Sequence, residues 1–260
     1  MTELDGRVAL VTGGGRGIGR ATALELARCG AAVAICARSA AEVEATVSTI
    51  KQGGARAFGL VVDLATDDPA ALIERVEATL GPVDILVNNA AIAGPYGLIA
   101  EIDPADFERA LRVNLLVPYL LARAVVGGMI ERGWGRILNV SSGAARHPLQ
   151  RVGAYSTSKA GLDMLTRQLG LELSGTGVVA VSIYPGVVDT AMQTDIRSQP
   201  VEVVGPAIHK QFRAHHEEGR LLAPETPARL MAALCSPAGE PFNGAIVDVR
   251  DADGQRLAVS

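Results

Sequence analysis

The sequence predicts an α/β protein built on a parallel sheet, and three observations support this class. Short apolar runs rich in β-branched residues alternate with longer runs of helical period along most of the chain, as in strands joined by crossover helices. A glycine-rich turn, Gly13–Gly19, stands between the first apolar run and the first helical run. The chain has 260 residues, 48% of them apolar and 20% charged, which fits one globular domain, residues 1–260.

The composition argues against several classes of partner. A net charge of −4 without a basic run speaks against nucleic acid. We expect no membrane partner, because no apolar stretch reaches the length of a span, and no signal peptide in the acidic stretch Met1–Asp5. Cys29, Cys36 and Cys235 are widely spaced, without a Cys-x-x-Cys motif. They are therefore expected to be reduced and mostly buried, in a cytoplasmic protein.

The first strand, the glycine turn and the first helix form one unit. Arg7–Thr12 is predicted as a buried strand and Arg20–Cys29 as a helix. Gly13 permits the tight turn, Gly19 lets helix and strand pack closely, and the N–H groups at the helix start suit a pyrophosphate. A glycine-rich connection without a ligand is the structural alternative. The residues predicted to bind a dinucleotide here are Gly13, Gly15, Arg16, Gly17, Ile18 and Gly19.

The residue after the second strand, Ala32–Ala37, predicts the form of the cofactor. An acidic residue about 20 positions beyond the glycines usually binds the ribose hydroxyls of NAD. Arg38 stands here instead, 19 residues after Gly19, and its guanidinium can bind a 2′-phosphate bidentately. Arg16 supplies a second positive charge. The alternative is that both arginines are solvated surface residues, but the pattern favours NADP(H) over NAD(H).

The alternation continues toward the middle of the sheet. Asp63 follows a strand, at the edge where ligands of such sheets bind, so it either accepts from the adenine amino group or caps the next element. Asn88 and Asn89 follow another strand, where they either order the strand ends or touch the cofactor; for Asn88 a purely structural role is equally open. The elements predicted here are the helix Ala40–Gln52, the strand Ala57–Val62, the helix Asp67–Leu80 and the strand Val83–Val87.

The second half of the chain carries residues of a different chemistry. Tyr155 and Lys159 are four residues apart in the sequence. On a helix they would therefore share a face, with about 6 Å between their Cβ atoms. The ammonium favours the phenolate over the phenol, whose pKa is ordinarily ~10. Ser142 precedes the tyrosine by 13 residues, at a strand end, and could face the same substrate oxygen. Such a pair alone is weak evidence, but a nucleotide-binding half precedes it. The elements predicted here are the helix Pro104–Ile130, the strand Arg136–Val140, the helix Ala154–Leu173 and the strand Val178–Ile183.

A long connection follows the sixth strand. Val187–Leu222 is mixed in character, and a connection of this length in a compact domain is usually a functional lid or a small helical insertion. His209, His215 and His216 lie in it without a set of metal-ligand partners, so we expect them at the surface and predict no metal site. The helix Ala223–Cys235 and the strand Gly244–Val249 complete the domain.

In order and spacing, the motifs of the chain resemble those of the short-chain dehydrogenase/reductases over essentially the whole length. The resemblance implies a Rossmann-type, doubly wound sheet of about seven parallel strands with helices on both faces. It also implies hydride transfer with NAD(P)H. The motifs that carry it are Thr12–Gly19, Asn88-Asn-Ala90, Asn114, Ser142, Tyr155-x-x-x-Lys159 and Pro185-Gly186.

The resemblance also implies roles for single residues. Tyr155 is the general acid or base, Lys159 lowers its pKa and holds the nicotinamide ribose, and Ser142 orients the substrate oxygen. Asn114 supports a proton-relay water. Ala91 departs from the family's Asn-Asn-Ala-Gly motif, and its methyl group could crowd the cofactor. Further cofactor contacts are implied for Asp63, Leu64, Asn89, Pro185, Gly186, Val188 and Thr190.

The C-terminal third resembles the sepiapterin reductase and benzil reductase branch of the family. In that branch an aspartate in the last strand anchors the pterin substrate, and by match this is Asp248, although ordinary members carry an aspartate there for structural reasons. Many members end in Asp-Gly-Gly, whereas this chain continues into a polar tail. The segments that carry the resemblance are Asp189–Gln193, Glu218–Leu222 and Asn243–Asp248.

The implied function is NADP(H)-dependent, reversible reduction of a ketone, a diketone or a pterin side-chain carbonyl to an alcohol. A 3-oxoacyl thioester is the alternative substrate. A catalytically silent NADP-binding regulator is the alternative of a different class, and the presence of Asn114, Ser142, Tyr155 and Lys159 together favours the enzyme. The expected partners are a small carbonyl or alcohol and further copies of the chain, in a homodimer or homotetramer formed through the helices Pro104–Ile130 and Ala154–Leu173.

Overall fold

Seven strands form one parallel sheet in residues 3–259, the part of the chain that this computed structural model describes. Met1 and Thr2, from the stretch in which no signal peptide is expected, lie outside the described residues, as does Ser260. Most strands are buried along their whole length, which suits a sheet covered on both faces. The strands are β1 (Val8–Thr12), β2 (Ala32–Ala37), β3 (Ala57–Val61), β4 (Ile85–Asn88), β5 (Gly135–Val140), β6 (Val178–Tyr184) and β7 (Ile246–Asp248).

The strand order is β3-β2-β1-β4-β5-β6-β7, and each neighbouring pair is parallel. The order reverses at β1 and β4, because the chain winds outward to β3 and then returns to wind the other way to β7. At such a point the loops that follow the two strands diverge and leave a crevice at their carboxyl ends. The predicted Rossmann-type sheet is confirmed, and its crevice is where a ligand of this fold binds.

Helices cover both faces of the sheet, and each face has its own apolar core. On one side β1 and β2 pack against Leu26 of the first helix and Leu230 of the tenth. On the other side Val76 and Leu121 belong to a second core cluster. The helices are α1 (Gly17–Arg28), α2 (Ala40–Gln52), α3 (Pro69–Leu80), α4 (Pro104–Leu111), α5 (Val117–Glu131), α6 (Gly153–Glu172), α7 (Ala191–Ser198), α8 (Val201–Val204), α9 (Pro206–Glu217), α10 (Glu225–Cys235) and α11 (Ala252–Val259).

Local sequence explains where several helices begin. The Ser39 hydroxyl accepts a hydrogen bond from the backbone of Glu42 at the start of α2. Asp68 and Asp103 do the same for α3 and α4, each followed by a proline in the first turn. Such caps satisfy N–H groups that have no partner within the helix. The first helix lacks this device, and it begins inside the glycine turn at Gly17, three residues before its predicted start.

The long helix predicted over Pro104–Ile130 contains a wide turn that its apolar period does not indicate. Five residues, Arg112–Leu116, form a π-helical turn between α4 and α5. The N–H of Val117 bonds to the carbonyl of Arg112, five residues back, where an α-helix would bond four back. Asn114 lies in this turn, so the wide turn changes how its side chain is presented relative to a regular helix.

Two C-terminal segments differ from the sequence prediction or refine it. Val187–Leu222 folds as an insertion that contains α7, α8 and α9, and its ends are joined by a bridge between Val188 and Leu222. The polar tail after β7, for which the sequence predicted no element, forms α11. Its Ala258 is 4% exposed and accepts a hydrogen bond from Arg229 of α10 at 3.0 Å. Leu257 and Ala258 of α11 are buried in the same core cluster as Leu230 of α10.

Among residues 3–259, one helix is long and apolar enough to cross a membrane by its length and composition. Pro104–Glu131 has 28 residues and a mean hydropathy of 1.7 in its most apolar window, 44% of which is buried. The statement that no apolar stretch reaches this length is therefore wrong. Length and composition alone indicate a span only weakly, since buried core helices share both properties. Here Val117, Leu121 and Val125 are buried against the sheet, as in a core helix.

Candidate active site

One cavity of about 830 Å³ opens at the carboxyl ends of the strands, beside the point where the strand order reverses. It brings the glycine turn together with Ser142 and Tyr155. Asn114 and Asp248 are not among the residues that line it. Every residue predicted to bind the cofactor lines it, namely Gly13, Gly15, Arg16, Gly17, Ile18, Gly19, Arg38, Asp63, Leu64, Asn89, Tyr155, Lys159, Pro185, Gly186, Val188 and Thr190.

The glycine turn accepts no side chain at its closest contacts. Gly13 has a φ of 64°, and a Cβ there would lie 2.9 Å from Nδ2 of Asn89. A Cβ on Gly19 would collide with the carbonyl oxygen of Gly13, so helix and turn approach this closely only with glycine. The N-cap residue of α1, Arg16, makes no side-chain cap within the described structure. The first N–H groups of α1 are therefore left for a ligand such as a pyrophosphate.

Hydrogen bonds from the neighbouring strands brace the turn. Asn89 donates from Nδ2 to the carbonyl of Thr12 at 2.8 Å. The hydroxyl of Thr12 accepts from the N–H groups of Asn89 and Ala90, each at 3.0 Å. Asn88 is buried and donates to Oδ1 of Asn139 at 2.8 Å. Asn88 therefore holds two strands together, whereas Asn89 both braces the turn and lines the cavity.

Three charged side chains surround the part of the cavity predicted to take the 2′-phosphate. Arg38 is exposed and lines the cavity beside Arg16. Sequence reasoning missed Glu42, which lines the same region and pairs with Arg16 at 3.5 Å. The signal was available, since Glu42 lies in the first turn of the helix that follows Arg38. Asp63 also lines the cavity, and its carboxylate accepts from the N–H of Ala65 at 3.0 Å.

Tyr155, Lys159 and Ser142 meet at the bottom of the cavity. Helix α6 begins at Gly153, so Tyr155 lies in its first turn and Lys159 one turn later. A hydrogen bond joins the side chains of Tyr155 and Ser142. Nζ of Lys159 donates to the carbonyl of Val140 at 2.7 Å and lies 5.7 Å from the centre of the Tyr155 ring. The predicted approach of serine, tyrosine and lysine is present.

Burial has the largest effect on the pKa values of Tyr155 and Lys159. Burial raises the pKa of this phenol above its ordinary value of 10, and the hydrogen bond to Ser142 lowers it by less. Burial also lowers the pKa of Lys159 from 10.5 to about 8, against the carboxylate of Asp163, which raises it. In the protein alone, removal from water is therefore the larger effect on both groups. The lowering of the Tyr155 pKa by Lys159, which the resemblance implies, stays a prediction.

Asp163 is a buried carboxylate that sequence reasoning did not single out. It lies one turn beyond Lys159 on α6 and is 7% exposed. It accepts hydrogen bonds from the hydroxyls of Ser182, at 2.6 Å, and Tyr184. Both partners are on β6. The spacing Tyr155, Lys159, Asp163 was a usable signal, since residues four apart share a helix face.

Asn114 lies behind the cavity and is fully buried. Its Oδ1 accepts from the N–H of Ile92 at 2.9 Å, and its Nδ2 donates to the carbonyl of Ile92 at 2.9 Å and to Ser158 at 3.1 Å. The Ser158 hydroxyl donates in turn to the carbonyl of Tyr155 at 2.7 Å. Asn114 therefore ties the loop after β4 to the first turn of α6.

Asp248 is engaged outside the cavity. Its carboxylate accepts from Nε and Nη2 of Arg250 at 2.9 and 2.6 Å, and from the backbone N–H of Arg250 at 2.9 Å. Burial acts to raise the pKa of Asp248, but these hydrogen bonds and the charge of Arg250 bring it below its ordinary value. The structural alternative for this residue is thus the one its contacts favour.

The insertion covers the other half of the cavity. Ile208 and Phe212, one turn apart on α9, pack with Val152, Ile196 and Val204 into a small apolar cluster that also contacts Tyr155. Residues from α7 line the cavity as well, among them Met192 and Gln193. We call this lobe the lid half, formed by residues 93–96, 149–155 and 191–212, and the lobe around the glycine turn the cofactor half.

The remaining candidates from sequence carry no second site. Among residues 3–259, no group of three or more histidine, cysteine, aspartate or glutamate side chains is placed to hold a metal ion. His216 is exposed, and Nδ1 of His215 contacts the carbonyl of Gln211 at 2.7 Å. Cys36 lines the cavity, but burial raises the pKa of its thiol to about 12. An un-ionised thiol is a poor nucleophile.

Comparison with known proteins gives consistent matches over the whole chain. The family model described as short chain dehydrogenase matches residues 7–201. The 3-oxoacyl-[acyl-carrier-protein] reductase FabG of Pseudomonas aeruginosa is 36% identical over 250 residues, which are 95% of this chain and 97% of that protein.

Two solved structures match the fold closely. A crystal structure from Beutenbergia cavernae, with NADP bound at low occupancy, superimposes with a TM-score of 0.84 at 33% identity and covers 98% of each chain. A blue fluorescent protein from a metagenomic library, in complex with NADPH, has a TM-score of 0.82 at 33% identity. It covers 97% of this chain and 99% of its own.

Proposed function

Because the chain belongs to the short-chain dehydrogenase family, we propose that it is an NADP(H)-dependent oxidoreductase that reduces a carbonyl to an alcohol, reversibly. The observation that carries the proposal is the single cavity that joins the glycine turn to Ser142, Tyr155 and Lys159. A dinucleotide site and a proton-transfer group in one cavity are the two parts that this reaction needs.

The cofactor half fits NADP(H) by its shape and its charge. The uncapped start of α1 suits the pyrophosphate, and the absence of Cβ atoms at Gly13 and Gly19 lets the backbone come close. Arg38 and Arg16 are the residues that would bind the 2′-phosphate. The two NADP- and NADPH-bound structural neighbours support this form of the cofactor.

NADP(H) supplies the hydride when it is bound, and the chain's own residues handle the proton. In reduction, Tyr155 gives its hydroxyl proton to the carbonyl oxygen, and Ser142 donates a hydrogen bond to the same oxygen. Lys159 stabilises the phenolate left on Tyr155 through its buried ammonium. In the reverse direction the phenolate takes the proton from the alcohol. Asn114 holds the first turn of α6 in place through Ser158.

A 3-oxoacyl thioester is a second candidate substrate, favoured by the similarity to the Pseudomonas aeruginosa reductase. The sepiapterin and benzil reductase branch stays a prediction from the C-terminal segments. Its substrate anchor, Asp248, draws no support from the cavity, since its carboxylate pairs with Arg250. Ketones, diketones, a pterin and a 3-oxoacyl thioester therefore belong in one panel.

The test is NADPH oxidation with this panel, read together with NADPH binding. We expect carbonyl-dependent turnover by the wild type and by Tyr119→Phe, a matched control at an exposed tyrosine. Tyr155→Phe should bind NADPH and turn over far more slowly. Tight NADPH binding without turnover on any member of the panel would support the silent regulator instead.

We further propose a homodimer or homotetramer that forms through α5 and α6. Large apolar side chains are exposed here, namely Leu116 at the end of the π-turn before α5, by 42%, and Met164 and Leu171 on α6, by 60% and 73%. An apolar cavity of about 820 Å³ adjoins them, lined in part by Leu115 and Leu165. Met164→Glu should reduce the mass measured by light scattering toward the monomer, whereas a monomeric wild type contradicts the proposal. A cytoplasmic location likewise stays a prediction.

A further inference from the structure

Two of the described residues that line the lid half of the cavity each have a buried polar atom without a partner. The hydroxyl of Tyr96 and Oε1 of Gln193 are both out of contact with solvent, and neither makes a hydrogen bond within the described residues. Both residues line the cavity. A buried polar group without a hydrogen bond is unfavourable, so such groups usually have a partner. Two such polar groups in the cavity that also contains Tyr155 need an explanation.

The position of Tyr96 relative to the reactive group gives one. Its ring packs in the same small cluster as Tyr155 and Val152. Burial raises the pKa of Tyr96, and the charges of Asp195 and Tyr155 raise it further. Tyr96 and Tyr155 also line the same cavity, so Tyr96 belongs to the wall around any molecule bound at Tyr155.

We propose that Tyr96, with Gln193, recognises a second oxygen on the substrate, a hydroxyl group close to the reacting carbonyl. This inference rests on the proposed carbonyl reduction and narrows its substrate to hydroxy-ketones and the corresponding diols. A phenol both donates and accepts a hydrogen bond, and an amide oxygen only accepts. A hydroxyl is the substrate group that satisfies both at once, because it accepts from Tyr96 and donates to Gln193.

The walls around these two residues limit the rest of the substrate. Met192, Ile208 and Phe212 give the lid half an apolar surface. Asp195, at the exposed edge, is the acidic group of α7 that lines the cavity. This arrangement suits a neutral, compact molecule with a hydroxylated end and a carbon chain. A site built to bind a hydroxyl discriminates strongly against the analogue that lacks it, because its own polar groups then stay unpaired.

The experiment pairs a substrate change with a side-chain change. Values of kcat/KM with NADPH are measured for hydroxyacetone and acetoin against acetone and butanone, with the wild type, Tyr96→Phe and Gln193→Met. We expect the wild type to prefer the hydroxylated member of each pair by about 10-fold or more. Tyr96→Phe should lose about that factor on the hydroxylated ketone and stay within about twofold on its counterpart. Tyr119→Phe is the matched control.

Thermal unfolding separates recognition from a structural role. Because Tyr96→Phe removes an unpartnered buried hydroxyl, the melting temperature of this variant without substrate should be no lower than that of the wild type. A lower melting temperature, or an equal loss on both members of a pair, overturns the inference. So does a wild type that reduces the plain ketones as well as the hydroxylated ones, and this outcome leaves the proposed function standing. If the wild type reduces no member of either pair and no carbonyl of the wider panel, both this inference and the proposed function are wrong.

Discussion

The cofactor half and the lid half of the cavity are built in different ways. In the cofactor half the cavity is lined by backbone atoms of the glycine turn and strand ends, with charged side chains such as Arg16 and Arg38 at its edge, and pairing in the sheet and two large apolar cores fix this backbone. In the lid half they are side chains from three remote segments, held by a cluster with four buried members, Val152, Ile196, Val204 and Ile208. Recognition through backbone needs a short motif, whereas recognition through side chains depends on how the segments pack.

The difference predicts separate sensitivities. Changes in the cofactor half should alter NADPH binding whatever the carbonyl, and changes in the lid half should alter the preference among carbonyls whatever the cofactor. Tyr155 stands where the two halves meet. The following substitutions test whether the two halves are independent.

The largest effect is expected at that boundary. Tyr155→Phe keeps the ring in the apolar cluster and removes the hydroxyl that transfers the proton. General acid–base catalysis contributes 10²–10⁴-fold, so kcat should fall by about that factor, while the Kd for NADPH should stay close to that of the wild type. Steady-state kinetics and a cofactor titration measure the two. Wild-type turnover in this variant contradicts the mechanism.

A matched pair of isoleucines compares the packing of the two halves. Ile35 in β2 and Ile208 in α9 are 0% and 3% exposed, and truncation of a buried isoleucine to alanine costs about 2–5 kcal/mol. Ile35→Ala should lower the global melting temperature by the larger amount. Ile208→Ala should instead open the lid locally and raise the KM for the carbonyl, because a small cluster unfolds apart from the core.

Hydrogen exchange distinguishes local from global opening. Amides of α9 should exchange faster in Ile208→Ala, with β2 unchanged, whereas Ile35→Ala should speed exchange in both. An equal loss of global stability in the two variants shows that lid and core unfold together, and the distinction between the halves then fails.

The substitution Arg38→Ala is expected to have the next largest effect, and it tests the cofactor half alone. A charge-assisted hydrogen bond contributes about 1.5–3 kcal/mol, so Arg38→Ala should weaken NADPH binding by roughly 10-fold or more. NADH binding should barely change, and the order of preference among carbonyls should be the same as in the wild type. Fluorescence titration with both cofactors is the measurement.

Glu42→Gln provides a control of opposite sign. Glu42 pairs with Arg16 at 3.5 Å in the region of the expected 2′-phosphate. Removing its charge releases Arg16 and removes a repulsion, so NADPH should bind more tightly, with NADH little changed. Equal affinity of the wild type for the two cofactors refutes the assignment of this region to a 2′-phosphate.

The same contrast decides how much the sequence could predict. The order of the strands and the glycine-turn lining of the cavity followed from a strand, a glycine turn and residues at strand ends, since parallel pairing brings those ends to one edge. The π-turn at Arg112–Leu116 could not be read from apolar period, because the chain keeps a helical period on both sides of it and nothing in the sequence marks the one inserted residue. Tyr96 and Gln193 lie 97 residues apart in the sequence, so it is tertiary packing that places both of them in the wall of one cavity.

The pKa of Tyr155 illustrates a second limit. Spacing correctly placed the ammonium of Lys159 on the face of α6 that carries Tyr155, 5.7 Å from the ring. Spacing does not report burial, and burial is the larger effect on both groups. The ammonium of Lys159 therefore needs a second positive charge beside it to lower the pKa of the Tyr155 phenol. In the proposed function, the oxidised nicotinamide is this second charge.

The smallest predicted effect lies beneath the boundary, at Asp163. The carboxylate raises the pKa of Lys159, which burial has lowered to about 8, so Asp163→Asn should lower it further. The ammonium is then lost at a lower pH, and the alkaline decline of kcat/KM should move to lower pH. Asp163→Glu should restore the profile. Ser182→Ala, which removes one partner of the carboxylate but keeps its charge, should leave it near that of the wild type.

The stability of the folded protein gives an independent sign for the same group. In the unfolded chain the lysine holds its proton up to about 10.5, and in the folded protein only up to about 8. The unfolded state thus binds more protons between these values, and the contribution of Lys159 to the free energy of unfolding rises with pH across this window. In Asp163→Asn the window should begin at a lower pH, as denaturant unfolding at several pH values can measure. An unchanged window together with an unchanged kinetic profile means that Asp163 only fastens α6 to β6.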